Sequence, residues 1–520
     1  MQYDDIIIGA GSSGAVLAAR LSEDPNRSVL LLEAGPDYRT LEETPHDLLR
    51  TLLSFANHDW GWKARATAER EIFYARGKVT GGSSAVNAAF AIRGVPADFD
   101  EWAALGNNEW NFGKVLPFYR KLEHDADFGG DDHGKGGPIW IERAKRSHWH
   151  PMVSAFYESC RAIGFGDSPD FNDPESTGIG PTAQNVRAGI RVSTAIGYLA
   201  PARSRLNLTI RGGCLVKRVV IENGHAVGVE VESGGLAQTV YGKRITVCAG
   251  AFASPAILMR SGIGPRAELE RHGIPILVDA PGVGANLIDH PIVAMLADLS
   301  SEAIRQSEGP EHSRPSALLR YTATSSSEFN DMQLYFGPVF DWTMVSGFPG
   351  GTSTPPKLFV FPVLMRPCSR GKLTLRSSNP ADQPDIELNF LADREDMRRM
   401  TDGVRLAWRV IHQPAVAAGW QGSIIGETGQ VLDEANLASD DALTDFIRTN
   451  CSTLHHVVGT VKMGPPQDSM AVVDQYCHVR GVEGLRVVDA SVMPNIVRAN
   501  TNLTCIMIGE RIADWMKSAS

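Results

Sequence analysis

The first 33 residues place the strongest constraint on what this chain can fold into. An apolar run at residues 6–8 leads into the pattern Gly9-x-Gly11-x-x-Gly14, a helical pattern follows, and a second apolar run ends on Glu33. This order is typical of a β-strand, a phosphate-binding turn, a helix and a parallel second strand. The pattern therefore predicts a nucleotide-binding βαβ unit of the doubly wound α/β kind.

Each glycine of this motif has its own physical role. Gly9 permits a sharp turn, Gly11 lets the backbone approach a pyrophosphate, and Gly14 lets the helix pack on the strand. The N-terminus of the helix presents free N–H groups and a partial positive charge to phosphates. Glu33 lies 19 residues past Gly14, where a carboxylate binds ribose hydroxyls. The motif alone does not separate NAD from FAD.

Composition narrows the class of protein further. The chain has 520 residues, of which 43% are hydrophobic and 21% charged, which excludes a disordered or fibrous protein and predicts two or three domains. With 50 basic and 60 acidic residues the formal net charge is −10, and no dense Lys/Arg run is present. Nucleic acid is therefore not expected as a partner.

The cysteines and the apolar runs bear on the compartment. Seven dispersed cysteines, without a CxxC pair, are typical of reduced thiols in a cytoplasmic protein. No signal peptide is evident, and no apolar stretch approaches the length that a membrane span needs. A cytoplasmic location without a transmembrane segment is expected.

The order of predicted elements indicates a discontinuous nucleotide domain. Strands are predicted at 206–210, 214–221, 226–232 and 244–250, and again at 485–490 before a helix at 503–516, whereas residues 36–75 read as loop. In the middle of the chain, strands are predicted at 357–365 and 371–376, and helices at 393–413 and 440–448. We expect a nucleotide-binding domain from residues 1–155, 200–297 and 466–520, and a substrate-binding domain from 156–199 and 298–465.

Several longer motifs resemble those of one family. Residues 76–94 form a second loop with almost no bulky side chain, which can lay its backbone against a large flat ligand. Residues 76–94 and 250–264 resemble the two signatures of the glucose–methanol–choline (GMC) oxidoreductases. Further similarity lies at 282–290, 369–375 and 488–494.

This resemblance implies a fold and a cofactor. The fold would be a Rossmann-like FAD-binding domain with a parallel sheet, joined to an α+β substrate-binding domain with an antiparallel sheet. Some members of the family attach FAD through a His that this chain replaces with Val86, so non-covalent FAD is expected. Together the glycine motif and the resemblance assign these residues to the FAD site: Gly9, Gly11, Ser12, Ser13, Gly14, Glu33, Ala34, Trp60, Gly81, Gly82, Ser83, Asn87, Ala88, Val216, Ala249, Asp489, Ala490 and Asn502.

The resemblance also implies a catalytic pair. Oxidation of an alcohol needs a base for the hydroxyl proton, and neutral His suits that role near neutral pH. His456 matches the family's His-x-x-Gly-Thr position, and Asn500 matches the partner position, which is His or Asn in the family. An amide binds the hydroxyl but is no base, which leaves His456 as the sole base. Leu454 and His455 are expected to line the substrate cavity, with His455 pointing away in an extended segment.

The expected activity is FAD-dependent oxidation of an alcohol substrate, with electrons passing to O2 or another acceptor. The chain resembles bacterial family members that act on hydroxymethylfurfural-type and aryl primary alcohols, and also choline-dehydrogenase-like members. A non-redox lyase on the same FAD fold is the alternative from another class. No metal is expected: His133, His148 and His150 are read as exposed loop residues without metal-ligand spacing. Trp102 and Trp110 are expected in the core.

Overall fold

The computed structural model describes residues 2–51, 53–54, 57–307, 316–340 and 357–518. Two large sheets dominate this part of the chain. Within the weakly patterned stretch at 298–360, residues 308–315 and 341–356 lie outside the described residues.

The first sheet has seven strands in the described part of the chain and is mixed. Its parallel half contains the βαβ unit, in which strand Gln2–Ile8 pairs with Val29–Leu32 on one side and with Leu236–Val247 on the other. Leu208–Arg211 and Leu485–Val487 extend this half in parallel. The remaining strands, Cys214–Glu222 and His225–Ser233, form an antiparallel meander with Leu236–Val247.

Parallel pairing decides where a ligand site can form. The carboxyl ends of parallel strands meet at one edge of a sheet, and in open α/β sheets ligands bind outside that edge. Gly9, Glu33, Cys248 and Val488 each follow directly after one of these strands. The fold therefore brings the glycine turn, Glu33 and the C-terminal motif to one place.

The second large sheet has nine strands in the described residues and is antiparallel throughout the pairings observed. The chain thus has the predicted combination of a parallel nucleotide sheet and an antiparallel sheet, although the exact domain boundaries stay a prediction. The strands of the second sheet are Gly178–Pro181, Pro291–Val293, Met295–Leu299, Ala317–Tyr321, Met332–Phe340, Lys357–Leu364, Trp420–Ile425, Val431–Leu432 and Cys451–Thr453.

Helices cover both sheets and connect their strands. The C-terminal helix packs on the first helix of the chain, where Gly509 allows a close approach because a Cβ there would lie 3.0 Å from the Ser13 carbonyl oxygen. The longer helices are Ser12–Leu21, Pro96–Ala104, Phe112–Leu122, Pro151–Ala162, Gly250–Arg260, Arg394–Ile411, Asp440–Asn450 and Thr501–Ser518. Shorter helices are His46–Leu49, Ala200–Ala202, Arg266–Arg271, Ser301–Gln306, Pro414–Ala417 and Glu434–Ala438.

Small sheets complete the architecture and include one element that the sequence did not suggest. Trp62–Arg65 and Glu71–Tyr74 form a hairpin inside the stretch that was read as loop. Its four-residue strands are too short for alternation to identify, and they gain partners from Lys372–Thr374 and Asp385–Glu387. The other small strands are Glu123–Asp125, Ile139–Arg143, Ala183–Gln184, Val186–Arg187, Ile190–Arg191, Ile263–Gly264 and Val278–Asp279.

Two of the histidines expected at the surface are buried, whereas His148 is exposed as expected. His150 caps the helix Pro151–Ala162, where its Nδ1 accepts from the Met152 N–H at 3.1 Å. His133 lies 2.8 Å from Asp170 and faces Glu123 and Asp125.

Carboxylates explain why His133 can be buried. Burial alone would lower its pKa, but the carboxylates of Asp125, Asp170 and Glu123, which accept from the charged imidazole, raise the pKa of His133 to about 11. Its charge is therefore balanced inside the fold.

Other features follow the sequence. Trp102 and Trp110 are fully buried, as expected for core residues. All seven cysteines are free, and only Cys368 is exposed. Among the described residues no helix combines the length and the apolar character needed to cross a membrane.

Candidate active site

A cavity of about 600 Å³ opens where the two large sheets meet. The first sheet contributes Ile8 and Leu32 from the ends of its parallel strands, and the second contributes Ile292, Tyr335 and Phe361. A cavity of this size suits a cofactor or a small ligand.

Two glycine turns touch at one end of this cavity. Gly9 has φ +97°, and a Cβ on Gly14 would lie 2.0 Å from the Gly9 carbonyl oxygen, so the turn and the helix behind it require glycine. A Cβ on Gly82 would lie 2.7 Å from Gly11 Cα, and the Gly81 N–H donates to the Ala10 carbonyl at 2.8 Å. The two turns therefore form one smooth cradle of backbone atoms.

Glu33 connects this cradle to the second strand. Its carboxylate accepts from the backbone N–H groups of Ala10 at 3.0 Å and Gly35 at 2.9 Å, and its side chain is buried at the cavity wall. Burial raises the pKa of Glu33 to about 7, although these two hydrogen bonds act against the increase. The side chain thus supports the turn as well as facing the place where a ribose would lie.

Most residues assigned from the sequence line this one cavity. Gly14 and Gly81 are the exceptions: they lie behind its surface and shape the two turns. Those that line it are Gly9, Gly11, Ser12, Ser13, Glu33, Ala34, Trp60, Gly82, Ser83, Asn87, Ala88, Val216, Ala249, Leu454, His455, His456, Asp489, Ala490, Asn500 and Asn502.

The donors at the cradle fit a phosphate-containing dinucleotide. No side chain caps the helix Ser12–Leu21, so its first N–H groups face the cavity end without a side-chain acceptor. Asn502 Oδ1 accepts from Ser12 Oγ at 2.8 Å, while its Nδ2 is buried and makes no hydrogen bond within the described residues. A buried amide nitrogen left over at a cavity wall indicates a missing acceptor, which a bound cofactor would supply.

The carboxylate of Asp489 binds groups of the protein itself and is not free to bind a ligand. It accepts from the Gly250 N–H at 2.9 Å, from the Ser491 N–H at 2.8 Å and from the Ser254 hydroxyl. Both carboxylate oxygens are therefore used within the protein, and any contact of Asp489 with a cofactor would come from its backbone.

His456 and Asn500 meet at the other end of the cavity. Asn500 Nδ2 lies 3.2 Å from His456 Nε2, and Asn500 Oδ1 accepts from the Tyr335 hydroxyl at 3.2 Å. On the far side of the imidazole, His456 Nδ1 lies 2.9 Å from Nδ1 of His290, which is completely buried.

A single buried carboxylate holds the backbone of this region. Asp289 accepts from the N–H groups of His290 at 2.7 Å and His456 at 2.8 Å, from the Tyr74 hydroxyl at 2.7 Å and from the Thr453 hydroxyl. These bonds fix the two histidine main chains relative to each other. Burial raises the pKa of Asp289, and the donors oppose that shift.

His455 does not lie in an extended segment, contrary to the expectation. Its φ is +63°, a left-handed value, and its N–H donates to Thr453 Oγ1 at 2.7 Å while Arg76 donates to its carbonyl. These contacts hold the unusual backbone in place. The His455 ring makes an edge contact with Tyr74 and borders the cavity.

The surroundings keep the imidazoles neutral. Desolvation lowers the pKa of His456 well below its usual value near 6.5, and the neighbouring His290, Arg76 and His455 lower it further. Burial also lowers the pKa values of His290 and His455 to about 3. A neutral His456 has one ring nitrogen that carries no proton, and this nitrogen can accept a proton at ordinary pH.

Sequence reasoning missed several residues at this end of the cavity. Asp289 and His290 belong to the family-like motif at residues 282–290, but nothing in their spacing indicates contact with His456. Tyr335 and Phe361 are opposed across paired strands, a register that no local pattern reveals. Phe90 and Phe359 also line the cavity, and together with Tyr335 and Phe361 they form what we call its aromatic wall.

A backbone cradle for a dinucleotide and a neutral imidazole opposite an amide, joined by one cavity, define the class of the protein. It has the site of an oxidoreductase, in which a cradle for a dinucleotide and a neutral imidazole lie beside one small-molecule cavity.

The chain belongs to the GMC oxidoreductase family, because family models described as GMC oxidoreductase match residues 3–292 and 367–509. It is 36% identical to the oxygen-dependent choline dehydrogenase of Brucella anthropi over 542 aligned positions, covering 99% of this chain and 95% of that one. An uncharacterized GMC-type oxidoreductase of Mycobacterium bovis is also 36% identical, with 99% of both chains covered.

Solved structures show the same fold. Pyridoxine 4-oxidase from Mesorbium loti superposes with a TM-score of 0.89 at 30% identity, covering 99% of both chains. Formate oxidase of Aspergillus oryzae has a TM-score of 0.87 at 26% identity and covers 100% of this chain and 98% of its own. The family and the fold confirm the sequence prediction, and FAD is the cofactor expected in the cradle.

Replacing Glu33 by Ala should weaken FAD retention more than catalysis by the loaded fraction. The substitution removes the acceptor for Ala10 and Gly35 and the carboxylate at the ribose end, which is remote from His456. The measurement is the flavin content per chain after dialysis. The control is Glu222→Ala, an exposed acid at the end of a strand in the same sheet, and equal flavin retention in both variants would contradict the ribose role of Glu33.

The flavin should be released intact when the protein is denatured. Val86 lines the cavity at the family's attachment position and has no nucleophile, and burial raises the pKa values of the cavity-lining Cys248 and Cys505, which keeps both as thiols. Acid precipitation is expected to leave a yellow supernatant and a colourless pellet. Intact-mass measurement decides the matter, since a gain equal to one FAD would show a covalent link.

Proposed function

We propose that this protein oxidises a primary alcohol, of aryl or furanic type, to the aldehyde. The observation that carries the proposal is the pair His456 and Asn500, whose side chains lie 3.2 Å apart at an apolar end of the cofactor cavity. One face of a substrate hydroxyl would meet a proton acceptor and the other a hydrogen-bond donor.

In this proposal His456 takes the hydroxyl proton at Nε2. The neutral imidazole has its lone pair there, because Asn500 faces that nitrogen with its NH2 group. Bound FAD supplies the acceptor for the hydride that leaves the carbon bearing the hydroxyl. The final electron acceptor would be O2 or another compound.

Asn500 binds the substrate oxygen as its proton leaves. An amide N–H pointing at a developing alkoxide stabilises the charge without exchanging a proton itself. The main chain of this residue precedes the helix Thr501–Ser518, so the amide is carried on a rigid element. His456 is held equally firmly, since Asp289 accepts from its N–H at 2.8 Å.

The wall opposite this pair supports an aromatic substrate. Phe359 and Phe361 stack with centroids 4.5 Å apart, and Phe90 packs edge-on against Tyr335 at 5.3 Å. Gly337 makes room for this wall, because a Cβ there would lie 2.0 Å from the Phe359 ring. Flat rings pack well against such a surface.

The same aromatic wall gives choline oxidation some support as a second candidate. Aromatic faces attract a quaternary ammonium group, and the Brucella relatives are named choline dehydrogenases. A neutral benzylic or furanic alcohol needs only the apolar surface, whereas choline also needs the cation–π attraction.

The test is an anaerobic screen of the FAD-loaded protein with benzylic alcohols, hydroxymethylfurfural, pyridoxine and choline. Bleaching of the flavin band by the neutral aromatic alcohols, followed by recovery in air, is the result expected. Bleaching by choline alone would replace the proposed substrate class. Product formation with an unchanged spectrum would identify a lyase on the same fold.

His456→Ala should keep FAD bound but slow anaerobic flavin reduction by about 10²–10⁴-fold, the contribution of a positioned base. Stopped-flow absorbance with the best alcohol of the screen measures the rate. His148→Ala, which changes an exposed histidine, is the control and should behave as the wild type. Reduction of the His456 variant at the wild-type rate would transfer the base role to another residue.

The acid limb of the pH profile should lie below pH 6.5. His456 must be neutral to accept a proton, and its lowered pKa keeps it neutral until the pH falls well under the usual histidine value. The rate of flavin reduction should therefore be constant between about pH 7 and 8 and decrease only at lower pH. A limb centred above pH 7 would contradict the assignment.

A further inference from the structure

Four side chains form a continuous hydrogen-bonded chain across the catalytic end of the cavity. The Tyr335 hydroxyl lies 3.2 Å from Asn500 Oδ1, and Asn500 Nδ2 lies 3.2 Å from His456 Nε2. His456 Nδ1 in turn lies 2.9 Å from His290 Nδ1. The two ends, Tyr335 and His290, come from different strands or loops of the second sheet and have no part in the reaction proposed above.

The hydrogen bonds in this series all run from donor to acceptor in one direction, because its first member, the Tyr335 hydroxyl, is a donor. Burial raises the pKa of Tyr335, so the phenol keeps its proton and donates it to the amide oxygen. An amide has one oxygen and one NH2 group, and fixing the oxygen on Tyr335 turns the NH2 group towards His456. His456 Nε2 therefore accepts, and it carries no proton.

The direction continues through the imidazoles. A neutral imidazole has one N–H, so a bare Nε2 on His456 requires the proton on Nδ1, where it is donated to His290 Nδ1. His290 must then hold its own proton on Nε2. His290 Nε2 is buried and makes no hydrogen bond within the described residues, although the nearby backbone of Met365 and Val497 opposes the lowering of the His290 pKa by burial.

We propose that Tyr335 and His290 are positioning residues that together hold His456 as the Nδ1–H tautomer, with the bare Nε2 directed at the substrate hydroxyl. The role of this tautomer in turnover rests on the proposed alcohol oxidation. The hydrogen-bond chain itself belongs to the folded protein and can be measured without a substrate.

Packing alone does not account for the Tyr335 hydroxyl. The ring fills space against Phe90, which Phe would fill equally well. On the neighbouring strand, Tyr321 is also buried, yet its hydroxyl makes no hydrogen bond within the described residues. The two tyrosines therefore form a matched pair, one with its hydroxyl on the catalytic amide and one without such a contact.

His290 is held as firmly as the residue it contacts. Its side chain is completely buried, and Asp289 accepts from the N–H groups of both His290 and His456. The shared carboxylate fixes the two main chains relative to each other. The His290 and His456 rings lie at 87° to each other, with their centroids 5.2 Å apart. This edge-on arrangement aligns one Nδ1 with the other.

The first test compares Tyr335→Phe with Tyr321→Phe in the FAD-loaded protein. Loss of one neutral hydrogen bond should slow anaerobic flavin reduction about tenfold in Tyr335→Phe, with the dissociation constant of the alcohol little changed. Tyr321→Phe should leave the rate as in the wild type. Equal rates in the two variants would overturn the role of Tyr335.

The second test uses rescue at position 290. His290→Phe removes the acceptor for His456 Nδ1–H and should slow reduction by about 10–100-fold, because a buried donor on the proposed base is left without a partner. His290→Gln offers a side-chain carbonyl and should restore most of the rate. Equal losses in Phe and Gln variants with matching melting temperatures would show that His290 acts only by packing.

The tautomer itself is read by ¹⁵N NMR of protein labelled at its histidines. His456 is identified as the resonance pair absent from His456→Gln, and a protonated Nδ1 with a bare Nε2 is expected in the wild type. A protonated Nε2 would overturn the proposal. If no alcohol reduces the flavin, the proposed function fails, while the spectra of Tyr335→Phe and His290→Phe still decide whether these residues set the tautomer: an unchanged His456 tautomer in both variants would overturn the proposal.

Discussion

The contact between two glycine turns is the constraint on which the rest of the molecule depends. Gly11 and Gly82 approach so closely that a single Cβ on Gly82 would lie 2.7 Å from the other backbone, and the Gly81 N–H bonds across the contact. Side chains at this point would separate the loop from the first helix. The cavity end, the exposed N–H groups and the position of Ser83 and Asn87 all follow from that approach.

Parallel pairing then assembles the rest of the site from distant segments. The strands Gln2–Ile8, Leu236–Val247 and Leu485–Val487 end at one edge, so a turn from the N-terminus and the motif around Asp489 face one cavity. The antiparallel sheet closes the other side and delivers the aromatic wall. Asp289 joins these parts at the catalytic end, because its carboxylate binds the main chains of His290 and His456.

Much of this arrangement could be predicted from the sequence, for a physical reason. The glycine turn, Glu33, His456 and Asn500 stand in short motifs whose backbone form is local, so their residue types indicate both structure and chemistry. The family and the cofactor follow from the same motifs. The hairpin at Trp62–Arg65 was missed because four-residue strands carry too little alternation, and His133 was misplaced because its carboxylate partners come from two other segments, the strand Glu123–Asp125 and the loop with Asp170. Tyr335 reaches Asn500 only through strand register and long-range packing, which a linear pattern does not contain.

The position of the last parallel strand has a consequence for biosynthesis. The sheet edge that forms the cavity is incomplete until Leu485–Val487 pairs with Leu236–Val247, and Asn500 and Asn502 follow still later in the chain. Because synthesis runs from the N- to the C-terminus, a growing polypeptide carries the glycine turn long before it has the strand Leu485–Val487 and the two asparagines that complete the cavity. Capture of the cofactor consequently has to wait for these late segments, and a chain without the helix Thr501–Ser518 would expose the apolar face of Ser12–Leu21 rather than yield a smaller enzyme.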